Sequence, residues 1–477
     1  MAPTKPKVLI VGAGIFGLST GYYLAEDGYD VTLFDQHPYD SEQGYTYVPT
    51  STAASVDPNK VFRASYGDEL HYQRLAYEAR DVWKRWNAER GPGRELFVES
   101  GMLRIQSSST LDDVERKTQA NMAKEGLKDS QYVLSSEADV RRATDNGWGS
   151  KLRQFAIPGT EKEHYEAVLD TSAGYVHSSE ACAYLAEKLR PLGAKFLFGP
   201  EKGTFSSFKF KGSGDSRKIV GIITKDEKEH PGDLVVVAGG SATPMIVPEA
   251  SEVVEATAGS VLTIALPPRE QAPELWDKYS AAQHPVIVGH IRDPGGGEVG
   301  PRNIYAFPRT DDGFVKVGYR VTKYTNYATL PGCSRPISIP LRPGVDDTSL
   351  PLNSVQAIKE FVSNFMPELA LLPIAYTRLC FYTDTVDNSF LVDYVPGYGD
   401  SLVLCTGGSG HGAKFTPILG KYVKDVIEKK PKIELTYTWR WRAELPLGNG
   451  LEEGPSGPRR LDKQVKSTLA DLTRAGL

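Results

Sequence analysis

The chain has 477 residues, 40% hydrophobic and 24% charged, with a formal net charge of −5. That length exceeds one compact core and calls for two domains, with interleaving allowed. The mild negative charge leaves no basic footprint for nucleic acid, and no apolar run reaches the ~20 residues of a membrane span.

Four cysteines, Cys182, Cys333, Cys380 and Cys405, are spaced too widely for a zinc pattern or a disulfide scaffold. No metal site and a reducing compartment are expected. VLIVGAG is too short an apolar stretch for a secretory signal.

The first thirty-five residues carry the best-defined local pattern. Residues 7–11 form an apolar run suited to a buried parallel strand. Gly12, Gly14 and Gly17 follow as G-x-G-x-x-G, bracketing Ala13, Ile15 and Phe16. A helix continues over 18–25, a second strand spans 31–34, and Asp35 closes it. Gly12 permits the tight turn, Gly14 lets the backbone approach a pyrophosphate, and Gly17 lets helix and strand pack closely. Asp35 stands where an acid takes ribose hydroxyls, which favours FAD or NAD over NADP. The motif alone does not separate FAD from NAD.

Residues 66–90 read as a helix, with Leu70, Leu75, Val82 and Trp86 near helical spacing. SSEACAYLAEKLRP reads as an amphipathic helix capped by Ser179, with Ala183, Leu185, Ala186 and Leu189 facing inward. GDLVVVAGGSAT is a buried strand running into a glycine turn. SVLTIAL, PVIVGH and FVKVGY alternate as an antiparallel sheet does. SLVLCTGGSGHGAKFTPILGKYVKDVI then returns to strand, glycine turn and helix. The final fifty residues are polar, with GNGLEEGPSGPRR as a loop and a short helix after it, and read as a wrapping tail.

The stretch C-x-Y-T-x-T-x-D-x-x-F at Cys380, Tyr382, Thr383, Thr385, Asp387 and Phe390 resembles the flavinylation motif of the monomeric sarcosine oxidase family. That family includes pipecolate, fungal saccharopine and fructosyl amino acid oxidases. The resemblance runs from Val8 to about Ile427. It implies FAD joined by an 8α thioether to Cys380. It implies an α/β, mixed α+β fold: a Rossmann-like FAD-binding domain of discontinuous segments (1–92, 165–246, 380–430), an inserted antiparallel-sheet substrate domain (93–164, 247–379) and a tail (431–477).

Further residues carry over by position. Lys316 in YAFPRTDDGFVKVGY matches the lysine that activates oxygen, and Tyr305 and Tyr382 match aromatic pocket positions. Arg63 in SVDPNKVFRASYGDE and Lys414 in GGSGHGAKF match the cations that clamp the substrate carboxylate. Gly408, Gly410 and Gly412 match the turn passing the flavin edge; Lys414 also belongs to that turn. Lys60, which stands in the loop of Arg63 in place of an arginine, is likewise expected to bind substrate. Arg320 follows Tyr319, where sarcosine oxidase has a histidine, and a cation there suits a larger or more acidic substrate. His411 is given no catalytic role.

The resemblance implies oxidation of the C–N bond of a secondary amine in an N-substituted amino acid. The imine formed is hydrolysed or cyclises, and molecular oxygen is reduced to hydrogen peroxide. Fructosyl amino acid oxidase, saccharopine oxidase and an amine oxidase of a fungal alkaloid pathway are the specific alternatives. A flavin dehydrogenase using another acceptor is the alternative in class. A monomer without nucleic-acid or membrane partners is expected, in the cytoplasm or alternatively the peroxisome, since the C-terminal Ala-Gly-Leu only partly matches a Ser-Lys-Leu address.

Overall fold

A computed structural model describes residues 5–42, 44–46, 53–161, 163–212, 217–289, 304–331, 333–341, 348–430, 433–445 and 459–477. Its first sheet has six strands in the order Leu391–Tyr394, Leu402–Thr406, Leu234–Val237, Lys7–Val11, Asp30–Asp35, Lys195–Phe198. All neighbours are parallel except the first pair. Val8, Leu9, Ile10, Val235, Val236 and Val237 have no exposed surface, as strands covered on both faces require. The helix Ile15–Glu26 crosses between the first two strands of the sequence, with Gly14 in extended conformation before it.

Two glycines set this crossover. Gly12 has φ 107°, and a Cβ there would lie 2.3 Å from the Ala238 carbonyl oxygen. A Cβ on Gly17 would lie 1.8 Å from the Gly12 carbonyl oxygen. Helix propensity alone favours Gly17→Ala by roughly 1 kcal/mol. The clash is with backbone, which cannot swing aside, and overpacking of this kind costs about 1–3 kcal/mol. Gly17→Ala is therefore expected to lower the midpoint of chemical denaturation. An unchanged or higher midpoint would mean that helix and strand separate without cost.

The second sheet has eight strands: Ile374–Asp384, Glu255–Ala265, Phe314–Tyr324, Ile304–Ala306, Val286–Gly289, Met102–Ile105, Ala167–Asp170, Gln131–Val133. It is antiparallel except where Val286–Gly289 runs parallel to Met102–Ile105. The helix Leu352–Phe365 covers one face, burying Val355, Ile358, Phe361 and Val362. Ala167–Asp170 and all of Ile374–Asp384 belong to this sheet, whereas the sequence-based boundaries at 165 and 380 gave them wholly or partly to the dinucleotide segments. A short apolar strand carries no signal of which sheet it joins.

Three local expectations are corrected. The helix expected at 66–90 is Leu70–Arg90, because residues 66–69 form a turn. The helix Ser178–Leu189 starts at His177 without a side-chain cap, so Ser179 is not the cap, and Ala183 is only half-buried. Residues 446–458, most of the expected loop, lie outside the described residues, and two 3-10 turns, Leu461–Lys463 and Ala470–Leu472, replace the short helix after it. The tail is tied down: Trp439 Nε1 donates to Tyr72 Oη (3.0 Å), and Arg459 pairs with Glu255 (2.9 Å). Among the described residues no helix is long and apolar enough to cross a membrane.

Candidate active site

A cavity of about 990 Å³ opens between the two large sheets. It runs from Gly12, Gly14 and Asp35 at one end to Cys380, Arg320 and Lys414 at the other. Its size is at the upper end of the ~300–1,000 Å³ found for small-molecule and cofactor sites.

At the glycine end, backbone approaches the cavity directly. Gly14 lines it, and a Cβ there would press to 3.1 Å from Ser55 Oγ. Ile15 and Phe16 also line it; Gly17, packed on Gly12, does not. Asp35 accepts hydrogen bonds from Ala13 N (2.8 Å) and His37 N (2.9 Å), so its carboxylate ties down the turn while facing the cavity. Burial raises its pKa, against the pull of His37 and the two amides.

The other end is built on one face of the eight-stranded sheet. Side chains alternate along a strand, so Arg378, Cys380, Tyr382 and Asp384 share a face of Ile374–Asp384, and Lys316, Gly318 and Arg320 share one of Phe314–Tyr324. Gly259 lies opposite Cys380 in register. Gly318 makes room for Tyr305, whose ring carbon would be 2.3 Å from a Cβ at that position. Burial pushes the phenols of Tyr305 and Tyr382 well up, so both stay protonated near neutrality.

Cys380 lines the cavity at 4% exposure. Lys60 Nζ lies 3.7 Å from its Sγ and Asp57 Oδ2 4.0 Å from it. Asp57 is buried and engages Lys60, Arg378 and, at 3.5 Å, Lys316. Burial would raise its pKa, but Arg378, Lys316 and Lys60 together hold the carboxyl well below its usual range. Lys316 does not itself line the cavity. Its ammonium sits behind the wall, donating to the Asn59 carbonyl and lying 4.5 Å from the Phe307 ring. Burial brings Lys316 down to about 7, with Asp57 opposing. Val315 and Val317 are buried as well, so period-two alternation separated the faces without making either one exposed.

Arg63 and Lys414 come together through Tyr66, which the sequence reading did not single out. The Arg63 guanidinium lies 4.3 Å and the Lys414 ammonium 4.6 Å from the Tyr66 ring centre. Lys414 donates to Tyr66 Oη (2.7 Å), which is 2.8 Å from His411 Nδ1, while His411 Nε2 is 2.9 Å from the Asn388 carbonyl oxygen. A carbonyl only accepts, so Nε2 carries the proton and Nδ1 accepts from Tyr66. Burial holds His411 far below its usual pKa, consistent with that neutral form. Lys414 is 2% exposed, and burial with Arg63 nearby lowers its pKa strongly. Among the described residues no carboxylate lies within ion-pair distance of Arg63 or Lys414.

Gly408 and Gly412 pack on the Phe16 ring, joining this loop to the glycine end. Gly410 has φ 70°, and the Arg320 guanidinium occupies the space of its missing side chain. Arg320 donates from Nε to Tyr382 Oη (2.6 Å) and pairs with Asp384 (2.7 Å). Asp384 stands at an unspecified position of the cysteine motif, yet it is the buried acid; Asp387, which the motif specifies, is exposed beside Arg442. Phe390 is fully buried against Phe16, Tyr72 and Trp439.

These features fit a bound FAD: a backbone cradle that a Cβ would fill, an acid beside it, and a thiol facing the same cavity. The chain belongs to the FAD dependent oxidoreductase family (DAO), whose model matches residues 7–426. It is similar to L-saccharopine oxidase of Schizosaccharomyces pombe, 29% identical over 460 residues, covering 92% of this chain and 93% of that one. Peroxisomal sarcosine oxidase of Homo sapiens is 24% identical over 423 residues, covering 88% and 92%. Among solved structures, a modified fructosyl peptide oxidase from Aspergillus nidulans superposes with a TM-score of 0.76 at 24% identity, covering 97% and 99%. The expected FAD-binding α/β fold is thereby borne out.

Proposed function

We propose that this flavoprotein oxidises the C–N bond of a secondary amine in an N-substituted amino acid, releasing an imine and hydrogen peroxide. The carrying observation is the pair Arg63 and Lys414, held around Tyr66 with no carboxylate within ion-pair distance among the described residues, Glu69 acting on both only from farther off. A guanidinium and an ammonium facing one cavity make an anchor for a substrate carboxylate. The names of the relatives, saccharopine and sarcosine oxidase, agree with such a substrate.

Gly12, Gly14 and the N-terminus of Ile15–Glu26 would hold the cofactor pyrophosphate, Asp35 the ribose, and Cys380 the isoalloxazine through a thioether. FAD, when bound, supplies the hydride acceptor. The protein's own groups do the rest. Arg63 and Lys414 fix the carboxylate, and the surrounding positive charge favours the neutral amine, the form with a free electron pair. Tyr305 and Tyr382 wall off water as neutral phenols. Lys316 and Lys60 place cationic charge where oxygen acquires an electron. The working form is a monomer in the cytoplasm or peroxisome.

A second reading, transfer of electrons to an acceptor other than oxygen, is favoured by Lys316 lying behind the cavity wall. Peroxide released per amine consumed separates the two. For the primary reading, Arg63→Ala should lower kcat/KM by about two orders of magnitude, mainly through KM, since a buried charged hydrogen bond is worth roughly 2–5 kcal/mol. Wild type should prefer an N-alkyl amino acid to its decarboxylated amine. Preference for the amine would reassign Arg63 to a structural role.

A further inference from the structure

We propose that the substrate carries a second carboxylate, on the arm attached to its nitrogen, and that Arg320 with Lys323 receives it. This rests on the reading of Arg63 and Lys414 as the site of the first carboxylate. Arg320 and Lys323 both line the cavity, and both draw on the same oxygen, Asp384 Oδ1, at 2.7 and 2.9 Å. The other Asp384 oxygen accepts from the Thr257 hydroxyl. Two cations therefore share one carboxylate whose acceptor positions are largely taken.

Arg320 also keeps donor capacity. Its Nε is committed to Tyr382 and one terminal nitrogen to Asp384, while the other terminal nitrogen, Nη1, has no acceptor among the described residues. That nitrogen rests against Gly410, in the same loop as Lys414. Its orientation is fixed: the guanidinium stacks 4.6 Å from the Tyr382 ring centre and is anchored at two of its three nitrogens. A preset guanidinium with one nitrogen free can give an arriving anion a charge-assisted hydrogen bond. Lys323 is 4% exposed and also donates to Asn388 Oδ1 (2.9 Å). Burial lowers its pKa in spite of Asp384, and an arriving carboxylate would offset that cost. A neutral or hydroxylated arm would leave both cations with Asp384 as their one carboxylate among the described residues.

The test uses three N-substituted glycines on the purified holoenzyme, with dissociation constants read anaerobically from the perturbation or bleaching of the flavin absorbance. N-(2-carboxyethyl)glycine carries the second acid, N-(2-carbamoylethyl)glycine is its neutral isostere, and N-propylglycine reports the first carboxylate site alone. Wild type should bind the acid about tenfold or more tightly than the amide, as expected for a charge-assisted hydrogen bond against a neutral one. Arg320→Gln should bring that ratio to about one, and Arg320→Lys should keep part of it, because the ratio of two isosteres responds to charge and not to general loosening.

A wild-type ratio near one, with N-propylglycine still perturbing the flavin, overturns the second-carboxylate proposal and leaves the proposed function standing. A wild-type preference that survives Arg320→Gln overturns the assignment to Arg320. If none of the three ligands perturbs the flavin, the amino-acid reading falls and this proposal with it. The wild-type comparison decides the question even if a variant fails to fold.

Discussion

Cys380→Ser protein is expected to give up its flavin to the supernatant on acid precipitation, while the wild-type pellet stays yellow. Cys380 lines the cavity at 4% exposure, with Lys60 Nζ 3.7 Å from its sulfur. Cys182 is fully buried on the helix Ser178–Leu189, where burial pushes its thiol well up. Cys405 lines the same cavity but is 0% exposed, with burial raising its thiol to about 12. A thiol that rarely ionises is a poor nucleophile, so neither competes. The effect is all-or-none, since a thioether survives acid and a non-covalent complex does not. Peptide mapping that puts the flavin mass on another residue would sink the assignment.

Lys316→Met should leave anaerobic reduction by substrate fast and slow reoxidation by about two to three orders of magnitude, the usual cost of losing a fixed charge stabiliser. Lys316 sits in a dry cluster with Lys60 and Arg378 around Asp57, so cations outnumber acids where an anion would form. Burial brings Lys316 to about 7. A lysine with a lowered pKa is charged below it and neutral above it. The wild-type reoxidation rate should therefore fall as pH rises through about 7, and the variant should show no such fall. Stopped-flow traces with equal reoxidation in the two proteins would remove the role and favour the second reading of the acceptor.

The glycine fingerprint was legible because its requirement is local. Gly12 and Gly17 answer to backbone within a few residues or in the adjoining strand, and the spacing records that. Cys380 and Arg63 were legible only through a family pattern, since nothing in their own neighbourhoods distinguishes them from core or surface residues. The charge pairings were not legible. Asp57 meets Arg378 and Asp384 meets Arg320 and Lys323 across strands far apart in sequence. Tyr66 passed as the start of a helix, yet its ring is where Arg63 and Lys414 converge. Its signal was the G-D-E turn after it, which delays the helix to Leu70. The extent of the eight-stranded sheet escaped for a related reason: pairing partners are chosen in three dimensions, and apolar alternation names none.

The strand order of the six-stranded sheet also constrains how the protein can be made. Val8 lies opposite Leu234, and Val235 opposite Leu402. A ribosome therefore releases the amino-terminal strand, helix and strand long before their neighbours exist. Until the stretch from Leu402 to Lys414 has emerged, Leu234–Val237 has an open edge and the cavity lacks a wall. Non-local pairing of this kind folds slowly, and an apolar strand with a bare edge is an aggregation hazard while it waits. The cavity can then hold FAD only once this late stretch has emerged, and expression yield should depend more on chaperone holding of the nascent chain than on cofactor supply early in synthesis.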